Sequence, residues 1–232
     1  MKPYVVCHMI MSLDGRIVSS RWNLSEEGRE EYENTAADHQ ANAWMCGRIT
    51  MSGFAKGSRP APAPNEPPIP ETDYIAPHME TSYAMALDAG GKLYWARSDI
   101  GGDHIIIVLT ERVSSDYLRH LQVNRISYLF GGQDSVDLAM VLDKLADKFG
   151  IKTLLLEGGG SINGSMLRAG LIDEISLLVA PVVDATNGTP ALFDASGSVA
   201  NDAPGARWKL KSMEQRADDI IWLRYSVGGN SQ

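Results

Sequence analysis

Only two of the 232 residues are cysteines, Cys7 and Cys46, and both sit inside apolar stretches. Two such thiols do not make a disulfide framework, so a reduced, cytoplasmic protein is expected. No apolar run approaches the roughly 20 residues needed to span a bilayer. The run over 4–11 is short and meets Asp14-Gly15 almost at once, unlike a secretory leader. Positive charge is also scarce. Against 29 Asp and Glu there are 21 Lys and Arg, a net charge of −8. Such a surface repels nucleic acid and anionic membranes, and neither is expected as a partner. An anionic cofactor remains possible, because one or two arginines and a few aimed backbone amides suffice to hold it. The five histidines, His8, His39, His78, His104 and His120, lack metal-ligand spacing, and no metal is expected. A zinc deaminase would need His-x-Glu and Pro-Cys-x-x-Cys, and the Gly-x-Ser-x-Gly elbow of α/β-hydrolases is missing too.

What is present is ordinary for a globular core: 44 % apolar and 22 % charged residues, over a length that fits one large domain or two small ones. Residues 4–11 read as a buried strand closed by the turn-forming Asp14-Gly15. Ser25 suits the N-cap of a charged helix reaching about His39, and 43–46 is a short strand. The stretch 58–77 contains Pro60, Pro62, Pro64, Pro67, Pro68 and Pro70, and reads as an extended surface loop, a lid or an oligomer arm. Two strands follow, over 83–88 and 92–95, joined through Gly90-Gly91, and then a β-branched central strand over 104–109. A short helix over 115–121 and a strand over 125–130 lead to a helix over 134–149. There Leu138, Val141, Leu142, Leu145 and Phe149 recur at helical spacing, with Gly150 placed to end it. A strand over 152–156, a helix over 161–169 and a strand over 174–183 come next. The alternating segments 208–213 and 220–227 form an antiparallel hairpin with one solvated face. The sum is a mixed, mainly parallel α/β sheet with a closing hairpin.

The strongest chemical signal is Leu156-Glu157-Gly158-Gly159-Gly160-Ser161, a buried strand passing through three glycines into a helix. Such a junction lets backbone amides and the positive helix end approach a phosphate. A tight turn with no ligand is the plain alternative. It is neither a Rossmann fingerprint, because the last glycine falls on Asn163, nor a P-loop, because no Gly-Lys-Ser/Thr follows. A second strand meets glycine at Cys46-Gly47-Arg48-Ile49-Thr50, where Arg48 offers a charge and Thr50 a hydroxyl. Arg48 is equally readable as a surface arginine beside an N-cap. Thr110 and Arg112 lie past the end of the 104–109 strand, the edge where ligands of open α/β sheets collect. Asp14 offers a proton or an anchor, although Asp-Gly alone is better read as a turn.

Taken in order, Met11-Ser12-Leu13-Asp14-Gly15-Arg16-Ile17, Gly47-Arg48-Ile49-Thr50, Leu155-Leu156-Glu157-Gly158-Gly159-Gly160 and Ala169-Gly170-Leu171-Ile172-Asp173-Glu174 resemble the pyrimidine reductase of riboflavin biosynthesis. That family is the C-terminal half of a bifunctional deaminase-reductase and shares the dihydrofolate reductase fold. The resemblance implies a single reductase domain over 1–232, standing without the deaminase, with NADPH as hydride donor. It implies that Gly47, Arg48 and Thr50 hold cofactor phosphates, that Gly158, Gly159, Gly160 and Ser161 cradle the diphosphate, and that Thr110 and Arg112 contact the adenosine portion. Asp14 and Glu157 would be the catalytic carboxylates facing the substrate cleft, with Ser12 on the substrate. The family reaction sends hydride to the sugar C1 of a ribosylamino-pyrimidine. Where the family has Asp-x-Pro and an arginine for the sugar phosphate, this chain reads Met51-Ser52-Gly53-Phe54-Ala55-Lys56-Gly57-Ser58-Arg59, leaving Lys56 and Arg59 as the substitutes. Reduction of a pterin or other heterocycle, and nucleotide binding without turnover, are the competing readings. A homodimer is expected, from the proline-rich loop and the segment 188–204.

Overall fold

A computed structural model describes residues 1–62, 65–194 and 207–228. Pro64 and most of the 188–204 segment invoked for dimerisation therefore lie outside the described residues. In chain order the elements are β1 (Tyr4–Met11), α1 (Glu26–Ala37), β2 (Ala43–Gly47), α2 (Arg48–Met51), β3 (Tyr83–Leu87), β4 (Asp99–Ile100) and β5 (Asp103–Leu109). Then come α3 (Ser115–Val123), β6 (Ser127–Phe130), α4 (Leu138–Phe149), β7 (Thr153–Leu156), α5 (Gly160–Arg168), β8 (Glu174–Val179), β9 (Trp208–Gln215) and β10 (Ile221–Val227). The chain divides into two compact units, one of Met1–Pro3 with Asn42–Lys152 and one of Tyr4–Ala41 with Thr153–Gln232.

In the first unit β3 lies between β2 and β5, all three parallel, with Gly47 opposite Leu87 and Tyr83 opposite His104. β6 adds to β5 in parallel, and the two-residue β4 pairs antiparallel with the start of β5. Ile105, Ile107 and Leu109 of β5 pack in one cluster with Leu118 and Leu121 of α3 and with Trp95. β5 is sealed on both faces, so it reads as an unbroken β-branched run rather than an alternation. In the second unit β1 lies between β7 and β8, again parallel, with Cys7 opposite both Leu156 and Ile175. β10 runs antiparallel to β8 and β9, so the C-terminal hairpin closes this sheet. The mixed, mainly parallel architecture is as expected.

Local chemistry sets the helix ends. Ser25 accepts the Gly28 amide at 3.0 Å, Ser114 that of Tyr117 at 3.3 Å, and Asp137 that of Met140 at 3.0 Å. Each satisfies one orphan donor of a first turn. Gly150 closes α4 in the left-handed region at φ 64°, where a Cβ would be penalised. The helices α2 and α5 differ: their N-caps are Gly47 and Gly159, with no side-chain hydrogen bond to the first turn.

Several boundaries need correction. Residues 92–95 are not a strand: the Asp88 carboxylate accepts the amides of Lys92 at 2.6 Å and Leu93 at 2.7 Å, holding the chain in an irregular turn. α4 starts at Leu138 rather than 134, because the Asp137 amide is tied back to the Gly131 carbonyl and its side chain serves as cap. β8 stops at Val179, where Val182 folds its amide onto the Ala180 carbonyl around Pro181. The proline-rich loop is fastened to α3, with Arg119 donating to the Pro67 carbonyl and Ser115 accepting the Ile69 amide.

Candidate functional site

The second unit carries a cleft of about 520 Å³. Met9 and Ile10 of β1, with Ile17 and Leu24, form its apolar wall. From α1 come Arg29, Tyr32 and Glu33, which share one helix face through their i, i+3 and i+4 spacing. Glu157, the residue after β7, completes the polar side with Ser19 and Ser20. β1 and β7 are parallel neighbours, so Glu157 and the Ser12–Asp14 turn both follow the C-terminal edge of this sheet. Arg29 is the functional candidate that sequence reasoning missed. The capped, charged helix was legible, but which of its faces borders an opening was not.

Tyr32 is held from behind. Its hydroxyl donates to the His8 carbonyl at 3.0 Å, and its own carbonyl lies 3.0 Å from His8 Nε2. That carbonyl can only accept, so His8 Nε2 carries the proton and Nδ1 accepts from Ser176 Oγ at 2.9 Å. Trp222 Nε1 donates to the same oxygen at 2.8 Å, and His39 Nε2 lies 3.1 Å from it. Burial pushes the His8 imidazole down to about 4, which keeps it neutral and keeps this network intact near neutrality.

The Ser12–Arg16 turn is self-contained. Ser12 Oγ donates to Asp14 at 2.6 Å and accepts the Arg16 amide at 3.0 Å. Asp14 also accepts the amides of Asp184 and Ala185, each at 2.9 Å. The Ser12 hydroxyl and these two amides hold the Asp14 carboxyl at about 2, so it is ionised and has no proton to give near neutrality. Both residues shape the turn, and neither borders the cleft lining around Glu157.

In the glycine segment, Gly158 sits at φ 90°, a conformation side chains rarely adopt, and the Gly158–Gly159 peptide is cis. Gly159 caps α5, and Ser161 is exposed on its first turn. Gly160 has a second reason to be glycine: a Cβ there would meet the Ala191 carbonyl and the Asp194 carboxylate. One helical turn on, a Cβ at Gly164 would meet the Asp194 backbone, and Asp194 donates its amide to the Gly160 carbonyl at 3.0 Å. Residues 191–194 therefore lie along a glycine track on α5. Beside Gly158, Asn163 is fully buried with its amide on the Leu192 carbonyl, and its Oδ1 lacks a partner among the described residues.

The remaining candidates lie in the first unit. Gly47 ends β2, while Arg48 and Thr50 are exposed on α2. Thr110 follows β5 at the same sheet edge, because β2, β3 and β5 are parallel; its hydroxyl donates to the Ala89 carbonyl at 2.7 Å. Arg112 is exposed and paired with Asp134 at 2.6 Å. Lys56 and Arg59 are exposed after α2.

This is a mixed α/β protein with mainly parallel strands and a closing antiparallel hairpin. The chain belongs to the RibD C-terminal domain family, whose pattern matches residues 3–222. It is 25 % identical, over 99 % of its own length and 100 % of the relative's, to a 2,5-diamino-6-ribosylamino-4(3H)-pyrimidinone 5′-phosphate reductase of Methanothermobacter thermautotrophicus. It is 26 % identical to the riboflavin biosynthesis protein RibD of Bacillus amyloliquefaciens, matching 84 % of this chain but only 50 % of that one. In fold it is similar to a pyrimidine reductase-like protein of Corynebacterium diphtheriae, with a TM-score of 0.69, 17 % identity and coverage of 98 % and 93 %. A riboflavin biosynthesis reductase of Saccharomyces cerevisiae gives a TM-score of 0.63, 16 % identity and coverage of 98 % and 90 %.

Proposed function

We propose that residues 1–232 act as one NADPH-dependent reductase of a ribosylamino-pyrimidine 5′-phosphate in riboflavin biosynthesis. Family membership and the end-to-end match to the Methanothermobacter reductase support the reaction class. The observation that carries the reading is the α5 start: a glycine N-cap with no capping side chain, two residues after the cleft residue Glu157. The three helices α1, α3 and α4 spend a side chain on their first-turn amides, whereas α2 and α5 begin at glycines that offer none. The residues fit a dinucleotide in chemistry. Gly158, Gly159, Gly160 and Ser161 would hold the diphosphate, with the buried Asn163 Oδ1 an acceptor awaiting an N–H or O–H donor. Gly47, Arg48 and Thr50 would take further phosphate charge, and Thr110 and Arg112 the adenosine end.

When bound, the reduced nicotinamide supplies the hydride that goes to the sugar C1. The chain's own work is orientation and charge. Glu157 would hold the proton that the sugar ring oxygen takes as its bond to C1 opens. Arg29 would meet the substrate's phosphate, a role expected of Lys56 and Arg59 from sequence. Asp14 and Ser12 would act at a distance, by fixing the turn after β1. The reading includes a cytoplasmic homodimer, and gel filtration giving a monomer at all concentrations would remove that part. The test of function is NADPH oxidation with the ribosylamino-pyrimidine phosphate, run beside dihydropterin. Turnover of the first alone supports the proposal, and turnover of the second alone, or of neither, overturns it.

A further inference from the structure

We infer that His78, Glu80 and His104 form a binding site for a borderline transition-metal dication of the zinc type. It lies at the edge of the first unit's sheet opposite the strand ends discussed above. The sequence hides it. His78 and Glu80 precede β3, while His104 is the second residue of β5, 24 positions after Glu80, and it is the parallel register Tyr83 opposite His104 that brings them side by side. One ligand atom from each of the three lies within 4.8 Å of the others. His78 Nδ1 is 4.0 Å from Glu80 Oε2.

Two features favour a metal over a chance cluster. His104 is 1 % exposed, and one of its nitrogens is held by Ser127 Oγ at 2.8 Å, an oxygen that also receives the Ala76 amide at 3.0 Å. Metal-ligating histidines are typically fixed in this way by an outer partner, with the other nitrogen left for the ion. Tyr83 and Phe149 form an aromatic wall against His78. Two imidazoles and a carboxylate, with water as fourth ligand, suit zinc, cobalt or nickel rather than magnesium or calcium.

The two rings are stacked, 4.3 Å apart and 17° from parallel, so their in-plane lone pairs run side by side. Binding must turn one ring, and His78 is the one free to turn. It lies outside any regular element, half-buried, and is tethered by a 3.1 Å hydrogen bond to the Glu80 carbonyl. The ion would then clamp the segment before β3 onto the start of β5.

The test is titration with Co²⁺, read by the visible absorption of four-coordinate cobalt, followed by displacement with Zn²⁺. One equivalent should bind to the full chain. Binding should vanish in His78→Phe, which keeps an aromatic ring in the stack, and weaken at least about tenfold in Glu80→Gln. It should persist in His39→Asn, since His39 and His8 are the other neighbouring imidazole pair. Circular dichroism checks that each variant is folded. Absence of saturable binding, binding unchanged in His78→Phe, or binding lost in His39→Asn overturns the site.

Discussion

Asp14 and Asp184 are joined in one direction: the Asp14 carboxylate accepts the Asp184 amide at 2.9 Å. Asp184 in turn receives Trp22 Nε1 at 3.0 Å and Arg21 at 3.1 Å on its own carboxylate. The turn after β1 thus anchors the segment after β8. Because Asp14 is held at about 2 in the fold, its contribution is fully present above the ordinary aspartate value. It is lost as pH falls from about 4 toward 2. Amide exchange at Asp184 and Ala185, followed by NMR, should accelerate over that range, and by about tenfold at neutral pH in Asp14→Asn. Unchanged exchange would show that the carboxylate does not hold the segment.

His8 gives a second pH dependence. Burial lowers its pKa to about 4, below the value near 6.5 of an unfolded histidine. The unfolded chain therefore binds the extra proton first, and stability present above about 6.5 declines as pH falls toward 4. The loss from this residue is on the order of 3 kcal/mol. Urea midpoints measured between neutrality and pH 4 should fall accordingly. A flat profile would mean that the Ser176 network tolerates a charged imidazole.

The glycines of α5 should separate by function. Gly160→Ala and Gly164→Ala push a methyl group into residues 191–194 and should each cost about 1–3 kcal/mol in chemical denaturation. Gly159→Val alters the N-cap itself, and should abolish NADPH binding while far-ultraviolet circular dichroism stays native. NADPH binding that survives Gly159→Val removes this loop as the phosphate site.

In the cleft, Glu157→Gln should lower kcat by about 100-fold with little change in KM, as for loss of a positioned proton carrier. Arg29→Ala should do the reverse, raising KM for the phosphorylated substrate by about tenfold or more. Steady-state kinetics on both variants decides. Equal effects on NADPH affinity would place Arg29 on the cofactor instead.

How far the sequence reached depends on the range of the signal. Ser25 and Gly150 announced their helix ends because capping is settled within a few residues. The 92–95 segment misled because its apolar residues Leu93 and Trp95 are buried without a strand, the Asp88 carboxylate doing locally what a ladder would do. Glu157 was legible beside its glycines. Arg29 was not, since nothing in a charged helix marks the face that borders a cleft. The nearness of His78 and His104 was not legible from spacing, because it arises from β3–β5 register, a relation between distant segments.

The most direct measurement follows the absorbance of NADPH as the ribosylamino-pyrimidine phosphate is added to the wild-type chain and to Gly159→Val. The account requires stoichiometric oxidation by the first and none by the second. If the wild-type chain neither binds nor oxidises NADPH, the glycine-capped start of α5 has been misread and the reductase assignment fails with it.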